Sequence, residues 1–509
     1  MKYIVKVAPE ITIKSKPVRK QCIKLLAKNI RIHLDRFDGF FEVVFLWDRI
    51  DIHFVDLPGM NVEIQDILSN IPGIGIFMEV EGFSLMDPGT PSLTLPPMER
   101  EESKEQKYNT LVFDDILEKV SEFYLDKISG HTFVVRVNRS GLHNFSSIDL
   151  ERYVGGGLLE RSENAKVKLK NPDITVLIEV KEDMFYVVRS SIGGIWWYPV
   201  WFQEKVVSLI SWWFDSWVST FSMMKRGCLV DYLFFNLWWS AHELWVKQVA
   251  YHLWETFSTP HKRARFITVD FEEIIQELLT KVHHKYRGII LKRLMLKVSS
   301  MIAEEHYYAI VKWDSLGQVS SQTLKNMNVI DRASSTLVLR PLISQNKQEI
   351  VDVSKKIGTY DFACNMPEYC GVISDKPSTW AKLEKVIEEE ENISSELIEK
   401  VFNSLKVQFV KDIIGEYASA SESELDIVLD TSDWDIIIDI REEREKKKFP
   451  LLIDVDIIDI PFFEINHRFK DLDQSKQYLF YCEKWVLSRL YWLYLREKGF
   501  DNIKIFRKK

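Results

Sequence analysis

Val206-Val207-Ser208-Leu209-Ile210-Ser211-Trp212-Trp213-Phe214-Asp215-Ser216-Trp217-Val218-Ser219-Thr220 is the stretch whose reading decides the fold. Its short apolar start, bounded by serine, reads as a buried strand. Asp215-Ser216 then opens a helix carrying Met223 and Met224, with Gly227 past its end. A strand, a tight loop and a helix N-terminus together hold phosphate in α/β proteins, because free backbone N–H groups and the helix dipole face the anion.

Working outward, 509 residues exceed what one core can organise, so several domains are expected. The formal net charge of −8 excludes a global cationic field, and any RNA contact must be local. Cys22, Cys228, Cys364, Cys370 and Cys482 are scattered and lack paired CxxC spacing. Structural zinc is not expected, and reduced thiols are. Met1-Lys2-Tyr3-Ile4-Val5-Lys6 lacks a signal-peptide core, and charged residues interrupt the Trp-rich region 196–217 well below spanning length. A cytoplasmic protein away from the membrane follows, with no bound metal expected.

The N-terminal half alternates short strands with helices. Tyr3–Val7 reads as an edge strand, and 17–31 as a helix whose lysines and arginines face almost no acid. Strands at Phe41–Phe45 and Ile50–Val55 and a helix at Val62–Leu68 follow. Asp87–Lys107 is Pro-rich, then charge-rich, and reads as a flexible insertion. Leu111–Ile128 is an amphipathic helix closed by Ser129-Gly130. Phe133–Val137 is a strand, Ser147 is the expected N-cap of the next helix, and Gly155-Gly156-Gly157 allows close approach or a kink. Asn171-Pro172-Asp173 turns into a strand at Ile174–Val180.

Beyond the opening stretch, strands at Leu229–Leu237, Phe266–Asp270 and Ala309–Val311 alternate with helices at Glu272–Leu279 and from Ile289 onward. That order argues a doubly wound parallel sheet with ligands at the C-terminal strand edges. Residues 381–424 are charge-rich and read as a solvated helical linker. In the last segment, Gln477–Tyr481 delivers Cys482 into a loop before a helix, where backbone N–H groups favour a thiolate.

The motif order resembles the tRNA 4-thiouridine synthase (tRNA uracil 4-sulfurtransferase) family over nearly the whole chain. Gly317-Gln318-Val319-Ser320-Ser321-Gln322-Thr323-Leu324 and Met366-Pro367-Glu368-Tyr369-Cys370-Gly371 carry it most specifically. Phe145-Ser146-Ser147, Arg152-Tyr153-Val154-Gly155-Gly156-Gly157 and Asn171-Pro172-Asp173 are similar to a THUMP RNA-binding domain. Asp439-Ile440-Arg441 with the Cys482 loop resembles a rhodanese-like domain. The resemblance implies an α/β multidomain chain: a ferredoxin-like domain at 1–75, THUMP at 76–190, an ATP-pyrophosphatase domain at 191–380, the linker, and a rhodanese-like domain at 425–509. It implies adenylation of the uracil oxygen by ATP with Mg2+, then sulfur transfer from a persulfide on Cys482, with Cys370 as disulfide partner and Asp215 as the loop acid. Leu209, Ile210, Ser211, Ser216, Lys292, Trp313 and Gln322 are the implied ATP contacts. Lys14, Arg19, Arg139, His143 and Arg152 are the implied RNA contacts. tRNA, a cysteine desulfurase as sulfur donor and a second copy of the chain are the implied partners, and sulfur supply to the thiamine thiazole is a further implied use.

One departure recurs. Where the family has glycine, this chain has Trp196, Trp197, Trp201, Trp212, Trp213, Trp217, Trp238, Trp239, Trp245, Trp313 and Trp485. Indoles at 212 and 213 are expected to fill the pyrophosphate volume, since close backbone approach requires glycine. Two alternatives stay open: a catalytically silent relative that keeps the fold and binds tRNA or a desulfurase, and a persulfide carrier acting through Cys482 alone.

Overall fold

The computed structural model describes residues 2–37, 41–46, 48–55, 59–85, 102–237, 240–258, 264–304, 306–364, 377–413, 426–429, 436–441, 446, 450–451, 453, 455–460, 464–482, 488, 491–492, 495–496 and 499–507. The chain forms two compact units, 1–199 and 200–509.

The first unit is built on one eight-stranded sheet. Its strands are β1 (Lys2–Val7), β2 (Phe41–Phe45), β3 (Arg49–Phe54), β4 (Ile74–Ser84), β5 (Thr132–Ser140), β6 (Lys166–Val167), β7 (Ile174–Lys181) and β8 (Met184–Gly193), in the order β2-β3-β1-β4-β8-β7-β5-β6. β1 is not an edge strand: it pairs with β3 on one side and β4 on the other, and Tyr3, Ile4 and Val5 are fully buried. β4 and β8 pair antiparallel from Ile76↔Gly193 to Ser84↔Met184. The expected boundary at residue 75 therefore runs through a continuous sheet rather than between separate layers.

Two helices, Glu102–Ile128 and Ser147–Arg161, cover β5 and β7 through Ile116, Val120, Leu150 and Val154. The first of these begins at Glu102, so residues 102–107 are helical, not loop as expected; 86–101 lie outside the described residues. Ser146, not Ser147, caps the second helix: its hydroxyl accepts from Asp149 N–H, and Asp149 accepts from Ser146 in return. A side chain at Gly157 would meet Leu117 Cδ2 at 2.3 Å, so this glycine serves close helix packing.

The second unit holds two sheets. In the larger, β9 (Lys205–Ile210), β10 (Leu229–Asn236), β11 (Arg265–Asp270), β12 (Ala309–Val311), β13 (Val338–Leu339) and β14 (Lys406–Phe409) run in the order β13-β12-β9-β10-β11-β14. All pairs are parallel except β11–β14. The chain leaves β9 toward β10 and β11, then returns to β12 on the other flank of β9. The switch point, where an open α/β sheet offers its ligand crevice, is thus between β9 and β12.

Residues 381–403 are not a solvated linker. Ala381, Val386, Ile393, Leu397 and Val401 join the main core against the Arg287–Ala303 helix, and β14 extends the sheet. Most charges there lie on outer helix faces, but Glu390 is buried and pairs with Arg293 at 2.5 Å, while the apolar residues recur at helical spacing. The smaller sheet comprises β15 (Ile427–Val428), β16 (Ile436–Asp439), β17 (Asp456–Asp459), β18 (Tyr478–Tyr481) and β19 (Ile503–Phe506), parallel throughout, in the order β15-β19-β18-β16-β17. Its switch point lies between β16 and β18.

At the N-terminal ends of the large sheet's strands, fully buried Asp231 accepts from Tyr307 Oη at 2.6 Å and Arg265 N–H at 2.9 Å, and pairs with Lys205 Nζ at 2.6 Å. Stripping a carboxylate from such a cluster strands its cation and donors. Asp231→Ala is expected to cost about 3–5 kcal/mol, read as a lower urea midpoint at unchanged slope.

Candidate nucleotide and sulfur-carrying sites

β9 ends at buried Leu209 and Ile210, which can offer a ligand only their backbone. The loop that follows folds onto its own serines. Ser216 Oγ accepts from Ser211 N–H at 3.0 Å and donates toward Trp213 O at 2.9 Å, and Ser211 Oγ accepts from Trp213 N–H at 3.3 Å. Two amides that a phosphate cradle would present are thus engaged within the loop. Trp212 and Trp213 are half-buried and meet edge to face at 5.2 Å, and Trp213 stacks on Phe214 at 4.8 Å. Trp217 and Trp245, by contrast, are core residues, and Trp313 packs partly against the core. At Trp217 and Trp245 the indole fills core volume.

Asp215 is buried in the first turn of the Phe214–Met224 helix. Burial pushes its pKa up, against the pull of Lys347, whose Nζ lies 3.0 Å from Oδ2. Lys347 also stands over the Phe214 ring at 4.1 Å and the Trp213 ring at 4.9 Å. This lysine was missed by the sequence reading. Its only local signal is the capping box Asn346…Glu349, which fixes the start of its helix.

Across the switch point, Asp314 follows β12 and gathers three cations. Lys312 Nζ and Arg340 Nε are each 3.1 Å away and Lys292 Nζ is 3.6 Å away; Gln322 Nε2 reaches the same carboxylate at 3.5 Å. Lys292 also donates to Ser321 Oγ at 2.7 Å. Of the implied ATP contacts, Lys292 and Gln322 are therefore brought together, through a carboxylate the sequence reading did not single out. Gln322 is buried, and its amide oxygen has no hydrogen-bond partner among the described residues.

Burial raises the Asp314 pKa, but Lys312, Lys292 and Arg340 outweigh it and hold the carboxyl well below the usual carboxylate range. A depressed carboxylate contributes stability that is complete above its unfolded value, near pH 4, and is lost as pH falls toward its folded value. Asp314→Asn is accordingly expected to flatten the acid limb of the stability curve below about pH 4, followed by denaturant midpoints at stepped pH.

At the small sheet's switch point, Cys482 follows β18 and is buried, with its Sγ accepting from Ser488 N–H at 3.4 Å and lying 3.3 Å from Ser488 Oγ. Beside it, at the end of β16, Arg441 closes on Asp439 through Nε at 2.9 Å and Nη2 at 2.7 Å. The guanidinium stands 4.7 Å from the Tyr481 ring centroid. Cys22 and Cys228 differ: burial pushes both thiols up to about 11, so they stay protonated and inert. Cys370, with Cys364's side chain and the rest of 365–376, lies outside the described residues, as do Trp238, Trp239 and Trp485. The expected Cys370–Cys482 pairing stays an expectation.

In the first unit, Lys14, Arg139 and Arg152 are exposed and Arg19 is half-buried. Arg139 Nη1 lies 3.3 Å from His143 Nδ1, and His143 Nε2 lies 2.8 Å from Glu182 O, which ties the β5–helix loop to the β7–β8 turn. Lys14 stands over Tyr198 at 5.3 Å.

Comparison with known proteins places the chain in a family. The sequence model described as Thiamine biosynthesis protein (ThiI) matches residues 201–395, the THUMP domain matches 112–188, and the rhodanese-like domain matches 421–508. A tRNA sulfurtransferase of Shigella dysenteriae serotype 1 (strain Sd197) is 43% identical over 509 residues, covering 100% of both chains, and one from Escherichia coli (strain SMS-3-5 / SECEC) is 43% identical over the same span. A crystal structure of a 4-thiouridine synthetase–RNA complex with bound ATP shares the fold, with a TM-score of 0.62 at 24% identity over 80% of this chain and 99% of that one. The rhodanese match contains β18 and Cys482, and the 201–395 match spans the switch point between β9 and β12. With identity of this level along its whole length, the chain belongs to the tRNA sulfurtransferase family.

Proposed function

We propose that the protein makes 4-thiouridine in tRNA, with Cys482 carrying the sulfur as a persulfide. The observation that carries this reading is Cys482 at a strand switch point, its sulfur facing a backbone N–H donor that stabilises negative charge. ATP's part would be to turn the uracil oxygen into a leaving group. Once that oxygen can leave, the terminal sulfur of the Cys482 persulfide attacks the ring carbon and the activated oxygen departs. A second thiol, Cys370 by family resemblance, then attacks Cys482 Sγ, leaving sulfur on the base and a disulfide in the protein. A cysteine desulfurase would reload the reduced Cys482. The same persulfide is chemically able to supply the thiamine thiazole, as the family description of residues 201–395 suggests. Lys14, Arg19, Arg139, His143 and Arg152 would meet tRNA phosphates in the first unit.

The residues fit a nucleotide unevenly. On the β12 side, the unpartnered Gln322 oxygen and the cations around Asp314 suit a base and an anion. On the β9 side they do not fit: two loop amides are engaged by serine hydroxyls, and the positions that need close backbone approach carry Trp212 and Trp213. Asp215, the acid for magnesium, is committed to Lys347, and no cluster of three or more His, Cys, Asp or Glu is present among the described residues. That mismatch favours the second reading, a catalytically silent relative, for this sequence as it stands.

Incubation with a cysteine desulfurase and labelled cysteine, followed by peptide mapping, tests the sulfur reading. Label is expected on the peptide holding Cys482. Label elsewhere, or none with an active desulfurase, would overturn it.

A further inference from the structure

We infer that the protein made in its own cells carries glycine at positions 196, 197 and 201, the codon written there being read as glycine rather than tryptophan. Among the described residues, six that are not glycine have positive φ: Asn164, Asn171, Glu182, Trp196 (φ 67°), Trp197 (φ 66°) and Trp201 (φ 79°). Asparagine tolerates this region because its short amide bonds locally; a bulky L-side chain sets its Cβ against the following carbonyl oxygen. Two adjacent indoles in that conformation are strained relative to glycine.

The backbone is not free to escape it. Trp196 N–H donates to Ile74 O at 2.9 Å, its carbonyl accepts from Gly73 N–H at 3.0 Å, and Gly194 N–H donates to Gly75 O at 2.9 Å. Gly73 and Gly194 themselves have no room for a Cβ, which would lie 2.9 Å from Pro199 N and 2.4 Å from Ile74 O respectively. This junction is therefore folded for glycine throughout, and at three points it holds tryptophan. Burial does not compensate, since Trp196 is 45% exposed and Trp201 38%. Other tryptophans fit where they stand: Trp492 donates its indole N–H to Ile503 O at 3.0 Å, and Trp254 is buried on the Ser240–Phe257 helix.

Glu182 (φ 52°) sits in the two-residue turn between β7 and β8, where a hairpin calls for positive φ; the other three misfits are the same residue type in place of the same requirement. Independent mutations would scatter over several replacement types, whereas one codon with two readings produces this pattern. Backbone geometry at these three positions is independent of the proposed reaction, so either can fail alone.

The test is mass mapping of the protein purified from its own cells. Trypsin releases Ser190–Lys205, which contains all three positions, and Val206–Lys225, which contains Trp212, Trp213 and Trp217. Ser190–Lys205 is expected to be lighter by three replacements of an indolylmethyl group by hydrogen, while the peptide containing Trp254 keeps its tryptophan mass. Ser190–Lys205 at its tryptophan mass would overturn the inference. The second peptide reports whether the same reading extends to the nucleotide loop. As an independent arm, the recombinant chain with W196G, W197G and W201G is expected to melt several degrees higher than the unaltered chain. An equal or lower melting point would show that the fold does not require glycine there.

Discussion

Glycine at positions 212 and 213 together is expected to tighten ATP binding by roughly 10²-fold or more, measured by calorimetry. One anion donor in a preorganised site is worth about 3 kcal/mol, which alone corresponds to that factor. Here two amides, Ser211 N–H and Trp213 N–H, are engaged by serine hydroxyls in place of a ligand. Glycine removes both rings and frees the loop to rearrange about the same Ser216 hydroxyl. Lys347 loses its stacking on the Trp213 ring but keeps Asp215 at 3.0 Å, so the local charge survives. The complementary change, Trp217→Gly, is expected to do the opposite. Trp217 is fully buried, and its removal leaves a cavity that destabilises by about 3–5 kcal/mol.

In the chain with glycine at 196, 197, 201, 212 and 213, Cys482→Ala is expected to lower sulfur transfer to tRNA roughly 10³-fold or more while leaving the fold intact, because a nucleophile that carries the transferred group has no substitute. Cys482→Ser should fail equally, since a hydroxyl holds no persulfide. The informative comparison is Cys228→Ala: that thiol is buried and raised to about 11, and its loss should leave the transfer rate unchanged. The measurement is labelled sulfur recovered in tRNA per unit time, with near-UV circular dichroism as the control for folding.

Period and punctuation made much of the architecture legible. The run Val206–Ile210 closed by serine, and its repetition as β10, β11 and β12, announced a parallel sheet, while the Gly317–Leu324 and Met366–Gly371 motifs carried the family. What escaped was set by tertiary pairing. β1 alternates like an edge strand, yet it sits between β3 and β4, because strand order is decided by partners distant in sequence. Residues 381–403 looked solvated because their charges outnumber their apolar residues; the few apolar ones at helical spacing suffice to dock both helices. Asp314 and Lys347 were invisible as site residues because a lone acid or lysine has no periodic signature, and only the fold brings each beside its partners. The Trp-for-Gly pattern was legible, but its consequences were not uniform. Trp217 and Trp245 settled into the core, while Trp196, Trp197 and Trp201 took backbone angles that strain a bulky side chain.

ATP–pyrophosphate exchange in the presence of tRNA, run on the unaltered chain and on the chain with glycine at 196, 197, 201, 212 and 213, tests the central claim most directly. The account predicts exchange that appears with glycine and is at background without it. Robust exchange by the unaltered chain, or none by a folded glycine chain, would contradict it.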